Sequence, residues 1–167
     1  MSPRGDNSVE VPDRPRFLVD IMLGKLSKWL RILGYDTVYE HLDDQLVLER
    51  LRHEGRILLS RDRELVSLAG EGNAYYVRSQ TPARQVAEVV RAFNLDPERY
   101  FFSRCSLCNV PVRAVPKEVV EGQIPEYVRQ TQQGFWQCPA CGQVYWKGSH
   151  FERAKGWLRR ALTDAQE

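Results

Sequence analysis

The sequence lacks a strong excess of charge, a long apolar run and a rich supply of cysteine. Its formal net charge is only +2, so composition by itself does not indicate a nucleic-acid-binding protein. No apolar run approaches the roughly 18 residues of a membrane span, and the opening residues lack the apolar segment of a signal peptide. The four cysteines all lie between positions 105 and 141. We therefore expect a cytoplasmic protein without membrane association, in which a metal site is favoured over disulfides.

Strand-like and helical patterns alternate along the first part of the chain. This alternation predicts βαβ units, and hence an α/β fold with a parallel sheet flanked by helices. The patterns divide the chain into a disordered leader rich in proline (1–15), an α/β domain (16–98), and a cysteine-containing unit followed by a basic helix (99–167). The predicted strands cover 17–20, 36–41, 56–60 and 74–79, and the main predicted helices cover 23–34, 43–55 and 82–94.

Acidic residues follow the predicted strands. Asp20 ends the first strand and Asp62 follows the third. If the strand order is 2-1-3-4, the chain reverses direction between these two strands, and ligands bind beyond their carboxyl ends. A third acid is Asp43 or Asp44 at the start of the second helix; we expect Asp43 to cap that helix and Asp44 to reach the site. Asp20 has an alternative role as a cap of the helix that follows it, and Asp36 is more typical of a turn.

Carboxylates that lie close together repel one another unless a cation binds between them. Hard oxygen ligands favour Mg²⁺ or Mn²⁺, either of which activates water for attack on a phosphodiester. The sequence therefore predicts a catalytic Mg²⁺ or Mn²⁺ site at this rim, held by Asp20, Asp44 and Asp62.

Basic residues accompany the acids. Lys25, Lys28 and Arg31 recur at i, i+3 and i+6 along the first helix, and Arg61 precedes Asp62 directly. A basic stripe is usually a solvated helix face, but its position beside the predicted site also favours phosphate contacts. We therefore include all four basic residues among the candidates for substrate binding.

The cysteines form two C-x₂-C pairs separated by a gap of 29 residues, "CSLC" at 105–108 and "CPAC" at 138–141. Each pair supplies two sulfurs from one compact loop, which predicts a structural, tetrahedral zinc site with Cys105, Cys108, Cys138 and Cys141 as ligands. A redox-active pair and buried free thiols are the alternatives. The long gap between the pairs is expected to contain an inserted hairpin.

The segment "YWKGSH" at 145–150 follows the second pair. Ser149 with Glu152 three residues later predicts a capping box at the start of the last helix. Trp146 is either part of a core or a platform on which an unpaired base stacks. His150 is either a substrate contact or an ordinary surface residue.

Four motifs together carry a resemblance to a known family: "FLVDIMLGKLSKWLRILGYDT", "EGRILLSRDREL", "CSLC…CPACG" and "YWKGSH". They resemble the Mut-seven C-terminal RNase family, a PIN-like nuclease domain fused to a zinc ribbon. The resemblance implies metal-dependent ribonuclease chemistry and assigns the acids of the site to Asp20, Asp44 and Asp62. The sequence departs from the family where "S-R-D" replaces the usual "T-R-D" and where Lys147 replaces a proline, and it offers no clear fourth acid.

These observations predict a divalent-metal-dependent ribonuclease that acts on RNA. The alternative is a non-catalytic zinc-ribbon module that binds RNA or the ribosome. A phosphoacceptor receiver domain is excluded because the first strand offers one Asp and no Lys occurs between 29 and 116.

Overall fold

The computed structural model describes residues 14–166, so most of the predicted leader lies outside the described residues. None of the described helices is long and apolar enough to cross a bilayer. Short 3₁₀ turns occur at Ile21–Leu23 and Lys117–Val120. The strands are β1 (Phe17–Val19), β2 (Thr37–Tyr39), β3 (Ile57–Ser60), β4 (Ala74–Tyr76), β5 (Arg113–Val115), β6 (Phe135–Gln137) and β7 (Val144–Tyr145). The helices are α1 (Gly24–Ile32), α2 (Asp44–Glu54), α3 (Arg63–Ala69), α4 (Pro82–Ala92), α5 (Glu126–Thr131) and α6 (Ser149–Asp164).

The first sheet has four parallel strands in the order β2-β1-β3-β4, which confirms the predicted order and the α/β fold. In register, Val19 lies opposite Tyr39 on one side and Leu59 on the other. The carboxyl ends of β1 and β3 are therefore neighbours at the reversal of the sheet, and this is where the sequence placed the site.

Apolar side chains on both faces of this sheet explain why its strands appear in the sequence as continuous apolar runs. Phe17 and Val19 point into the larger core, whereas Leu18 between them packs in the smaller core with α2 and α3. The larger core is completed by residues of α1, α4 and α6. Helices thus cover both faces and leave the edge at the carboxyl ends open for a site.

The last helix packs against the first domain. Trp157 of α6 stacks on Trp29 of α1, with ring centroids 4.0 Å apart and planes 9° from parallel, and Leu158 joins the larger core. The helix begins at Ser149 as predicted, but the predicted capping box is wrong. Gly148 occupies the N-cap position, so Ser149 is already the first helical residue and makes no side-chain cap.

The cysteine-containing unit is built on a second, antiparallel sheet in the order β5-β6-β7. The segment between the cysteine pairs is more than the expected hairpin, because a 3₁₀ turn and α5 lie between β5 and β6. The sequence pattern did not predict α5, because this helix has only six residues, of which Val128 alone is buried. A small core of Val120, Val128, Phe135 and Val144 holds this unit together.

Candidate acidic site and zinc centre

A buried hydroxyl group connects the first and third strands at their carboxyl ends. Ser60 is the last residue of β3 and lies level with Asp20, since Val19 and Leu59 are paired. Its Oγ donates a hydrogen bond to Asp20 Oδ2 at 2.7 Å and accepts one from the backbone N–H of Asp62 at 2.9 Å. Ser60 is fully buried. The structure therefore brings Asp20 and the Asp62 backbone to a common point at the rim of the sheet.

The carboxylate of Asp62 also caps α3. Its Oδ1 accepts hydrogen bonds from the backbone N–H groups of Glu64 at 2.9 Å and Leu65 at 3.2 Å. Asp is a preferred N-cap residue, but the cap was not predicted from the sequence. The positive end of the helix stabilises the negative charge of the carboxylate. These bonds use one carboxylate oxygen and hold the side chain at the start of α3.

Asp43 caps α2 by accepting a hydrogen bond from the Leu46 backbone N–H at 2.9 Å, as predicted. Asp44 is the first residue of α2 and is exposed. It follows β2 and so lies on the same edge of the sheet as Asp20 and Asp62. Its participation in the site stays a prediction. Glu40 also follows β2 directly, and its carboxylate pairs with Arg50 at 2.9 Å.

The three candidate acids form a looser group than the cysteines do. Among the described residues, the four cysteines are the group of His, Cys, Asp or Glu whose ligand atoms lie within 4.8 Å of one another. A loose arrangement is compatible with Mg²⁺, because this ion keeps several of its waters and uses one or two carboxylates directly. The donor atoms are the hard oxygens that Mg²⁺ and Mn²⁺ prefer.

The basic residues of α1 run from one edge of the sheet to the other. Lys25 lies in the first turn, on the side of Asp20, and both Lys25 and Lys28 are exposed. Arg31 lies in the last turn, where Nε donates to the carbonyl oxygen of Thr37 at 2.9 Å and Nη1 to that of Leu107 at 3.1 Å. Arg31 thus joins the first sheet to the first cysteine loop. Its contact with substrate stays a prediction.

Arg61 and Glu88 together hold the loop that follows β4. Nη1 of Arg61 donates to the carbonyl oxygens of residues 77–79 at 2.7–3.0 Å. The Glu88 carboxylate accepts from the N–H groups of Arg78 and Ser79, each at 2.8 Å. Burial alone would raise the pKa of Glu88, but these hydrogen bonds outweigh it and lower the pKa below its usual value. The role of Glu88 was not predicted from the sequence, because backbone partners leave no motif.

The four cysteine thiols form a site that fits zinc. Cys105 Sγ and Cys141 Sγ lie 3.8 Å apart, and all four sulfurs lie within 4.8 Å of one another. Tetrahedral zinc with Zn–S bonds of about 2.3 Å requires sulfurs about 3.8 Å apart. The backbone N–H of Cys108 points at Cys105 Sγ, and that of Cys141 at Cys138 Sγ, each at 3.5 Å. The donor set and the spacing therefore match a closed structural zinc site.

The acidity of the thiols supports this assignment. Burial raises the pKa of Cys105, but a hydrogen bond from the Tyr145 hydroxyl at 3.2 Å and backbone N–H groups bring its pKa down to about 7. Hydrogen bonding with Cys141 and burial raise the pKa of Cys108 to about 12. Opposite shifts of two neighbouring thiols are typical of like groups that share one small site, where the first negative charge disfavours the second.

The residue after each cysteine pair adopts the left-handed conformation, with φ of 63° at Asn109 and 78° at Gly142. Asn and Gly are the residues that tolerate this conformation best. Asn109 also docks the first loop onto the amino end of β2. Its Oδ1 accepts from the Thr37 backbone N–H at 2.9 Å, and its Nδ2 donates to Asp36 Oδ1 at 2.8 Å.

The sequence favoured Asp36 as a turn residue, but its side chain also makes contacts between distant segments. Its carboxylate forms an ion pair with Arg56 at 2.8 Å in addition to the bond from Asn109. Burial by itself raises the pKa of Asp36, and the hydrogen bonds from Arg56 and Asn109 lower it below its usual value. These contacts attach the first cysteine loop to the amino edge of the first sheet, whereas Asp20, Asp44 and Asp62 follow the carboxyl ends of the strands.

The remaining two candidates for substrate binding lie in or beside the cysteine-containing unit. Trp146 is half-buried and packs against the small core of that unit. His150 is exposed in the first turn of α6. Their contacts with substrate stay predictions.

A family comparison covers both the acidic site and the zinc centre. No curated protein matches the chain. The model of the Mut7-C RNAse domain matches residues 15–158, a range that includes both sheets, the three candidate acids and all four cysteines. This match extends over most of the chain and confirms the resemblance that the four motifs indicated. The chain therefore belongs to the Mut7-C RNAse domain family.

Proposed function

We propose that the protein is a divalent-metal-dependent ribonuclease that hydrolyses RNA phosphodiesters at the carboxyl edge of its first sheet. The observation that carries this proposal is the connection of Asp20 to Asp62 through the buried Ser60 hydroxyl, in a chain that belongs to a ribonuclease-domain family. Buried hydroxyl groups that hold a carboxylate in place at a strand end are typical supports of a metal ligand.

In this proposal Asp20, Asp44 and Asp62 hold Mg²⁺ or Mn²⁺. The bound ion would supply an activated water molecule and would neutralise charge on the phosphate. Ser60 orients the carboxylate of Asp20, and the cap at α3 orients that of Asp62. Lys25 is the basic residue of α1 closest in sequence to the rim, and its exposed ammonium group contacts the RNA backbone.

The proposal is tested with Asp20→Asn and Asp62→Asn. Asn caps helices as well as Asp does, so α3 stays intact in the second variant. Cleavage of a labelled single-stranded RNA is measured with Mg²⁺, with Mn²⁺ and without added metal. Divalent ions are removed by dialysis, because a chelator would also strip the zinc centre.

We expect cleavage to require the divalent ion and to fall on the order of a hundredfold or more in each variant. Zinc content and thermal melting establish that the variants remain folded. Unchanged cleavage by either folded variant removes the metal-site mechanism.

A non-catalytic RNA-binding module is the second candidate. It is favoured by the looseness of the acid group, since among the described residues the four thiols are the one group of three or more such side chains close enough together to hold a metal ion. RNA binding that weakens steeply with salt, without any metal-dependent cleavage, would support this function instead.

A further inference from the structure

A cavity of about 260 Å³ lies between the segment that follows α4, the second sheet and the start of α6. It is smaller than the roughly 300–1,000 Å³ of pockets that hold drug-sized ligands. Six of its nine lining residues are aromatic. The lining includes Phe101, Phe102, Trp136, Trp146, Lys147 and Phe151.

The two tryptophans of the cavity lie against glycine backbone. A Cβ atom at Gly134 would approach the Trp136 ring to 2.9 Å, and one at Gly148 would approach Trp146 Nε1 to 2.7 Å. Side chains at these positions would displace the indole rings. The glycines therefore leave room for both rings against the backbone, and each indole remains half-exposed.

Phe102 presents its ring to the cavity from an unfavourable backbone conformation. Its φ of 58° lies in the left-handed region, which is rare for a bulky residue and occurs preferentially at functional sites. The N–H of Phe102 donates to the Ile32 carbonyl at 2.7 Å. Its ring packs against Phe151, with centroids 5.3 Å apart, and so forms a wall of the cavity.

Two ammonium groups lie over the aromatic rings. Lys147 Nζ is 5.8 Å from the centroid of Trp136 and 5.9 Å from that of Phe151. Lys155 Nζ is 5.2 Å from the centroid of Phe151. Flat aromatic faces beside positive charge suit a ligand that combines a planar ring with an anion.

We propose that this cavity binds one unpaired nucleobase of an RNA strand. The base stacks on Trp136 and Phe102, and the adjoining phosphate contacts Lys147. The choice of RNA as the ligand rests on the proposed ribonuclease function.

The cavity is remote from the acids. Phe102 is bonded to Ile32 at the carboxyl end of α1, whereas Asp20 precedes the amino end of that helix. The nine residues of α1 span about 13 Å. A strand of several nucleotides is therefore needed to reach from the stacked base to the acidic rim, and the cavity positions the RNA at a distance from the bond to be cut.

The test uses the fluorescence of the full-length protein without added divalent ions, so that no cleavage occurs. Trp29→Phe and Trp157→Phe leave Trp136 and Trp146 as the emitting residues, since the chain has four tryptophans. The probes are adenosine monophosphate, a short single-stranded oligoadenylate, and ribose 5-phosphate as the ligand without a base. Zinc content and thermal melting confirm folding.

We expect quenching by the nucleotide and the oligoadenylate but not by ribose 5-phosphate. Trp136→Leu should weaken oligoadenylate binding roughly 5- to 150-fold, as measured by fluorescence of the remaining Trp146. The exposed Lys147→Ala should weaken it without affecting folding, whereas Lys117→Ala removes the same charge from the ribbon outside the cavity and should have little effect.

The inference is overturned if neither nucleotide probe quenches the tryptophan fluorescence, or if ribose 5-phosphate quenches it equally. The result is distinguishable from the fate of the proposed function, because cleavage is measured separately with the Asp20 and Asp62 variants. If the nucleotides quench the fluorescence but Asp20 and Asp62 prove to have no catalytic role, the cavity is retained as a base-binding site. Metal-dependent cleavage without quenching removes only the inference about the cavity.

Discussion

The buried hydroxyl of Ser60 donates a hydrogen bond to Asp20 across two neighbouring parallel strands, at 2.7 Å. The two residues are 40 positions apart in sequence and are level in the register of β1 and β3. The family usually has Thr at the position of Ser60. Both residues carry a hydroxyl group. Its bond explains why a hydroxyl is suited to the end of an otherwise apolar strand.

Ser60→Ala should disable the site while leaving the fold intact. The substitution removes the donor to Asp20 and the acceptor for the Asp62 N–H, so we expect activity to fall about 10- to 100-fold and stability to fall by about 1–3 kcal/mol. Steady-state RNA cleavage and urea denaturation measure the two effects. Ser60→Thr is the matched control, because it retains the hydroxyl. Full activity in the alanine variant would show that the hydrogen bond has no part in catalysis.

Asp43 and Asp44 give a direct comparison of a helix cap with a candidate metal ligand. Asp44→Asn should reduce metal-dependent cleavage strongly, since it removes a charged oxygen ligand from the rim. Asp43→Asn keeps the cap of α2 and should leave cleavage near that of the unsubstituted protein. The dependence of cleavage on Mn²⁺ concentration measures both variants. Equal behaviour of the two would assign the third ligand to another residue.

Lys28 and Arg31 lie one turn apart on α1 but differ in their contacts. Lys28→Ala should lower RNA affinity and reduce the slope of log affinity against log salt by about 0.7, the value for one contact with single-stranded nucleic acid. Arg31→Ala should lower the free energy of unfolding by about 1.5–3 kcal/mol, because it leaves carbonyl groups of the first cysteine loop without their hydrogen-bond donor. Salt titrations and denaturant unfolding separate the roles. A changed salt slope for Arg31→Ala alone would reverse them.

Glu88 makes the stability of the first domain depend on pH. Its pKa is lowered in the folded protein, so its stabilising contribution is complete above the unfolded-state pKa and is lost as the pH falls through the folded-state pKa. Glu88→Gln should therefore reduce stability by about 1–3 kcal/mol at neutral pH. The difference should shrink once the pH drops below the ordinary Glu value of about 4.3. Urea unfolding of both proteins across this range is the measurement, and a difference independent of pH contradicts the prediction.

Removal of zinc should unfold the second sheet. Structural zinc sites supply folding free energy, on the order of 10–16 kcal/mol in small zinc peptides. Native mass spectrometry should find one zinc ion per chain, and Cys105→Ser should lose it together with the cooperative melting of this unit. Ser106→Ala, in the same loop, should retain the metal. Normal melting of the cysteine variant would assign the stability of the unit to its small apolar core.

The sequence predicted the first sheet and its strand order well because the signals are local. Apolar runs bounded by glycine, such as the one before Ser60, indicate buried parallel strands wherever they occur. The cysteine spacing was equally informative, since two C-x₂-C loops can meet in few ways other than around a metal. The cap at Asp62, the short helix α5 and the clamp by Glu88 were missed, because they depend on backbone partners or on too few buried residues.

The sequence by itself determined the order of strands and helices around the first sheet, the four thiols of the candidate zinc site and the acids that follow the strands, since each depends on neighbouring residues or on the rules of parallel sheets. Tertiary structure alone decided that Ser60 joins Asp20 to Asp62, that Arg31 and Asn109 attach the cysteine loops to the amino edge of the first sheet, and that aromatic residues from four segments enclose one cavity. These contacts join residues that are distant in the chain, and hydrogen-bond geometry and packing select them only after the chain has folded.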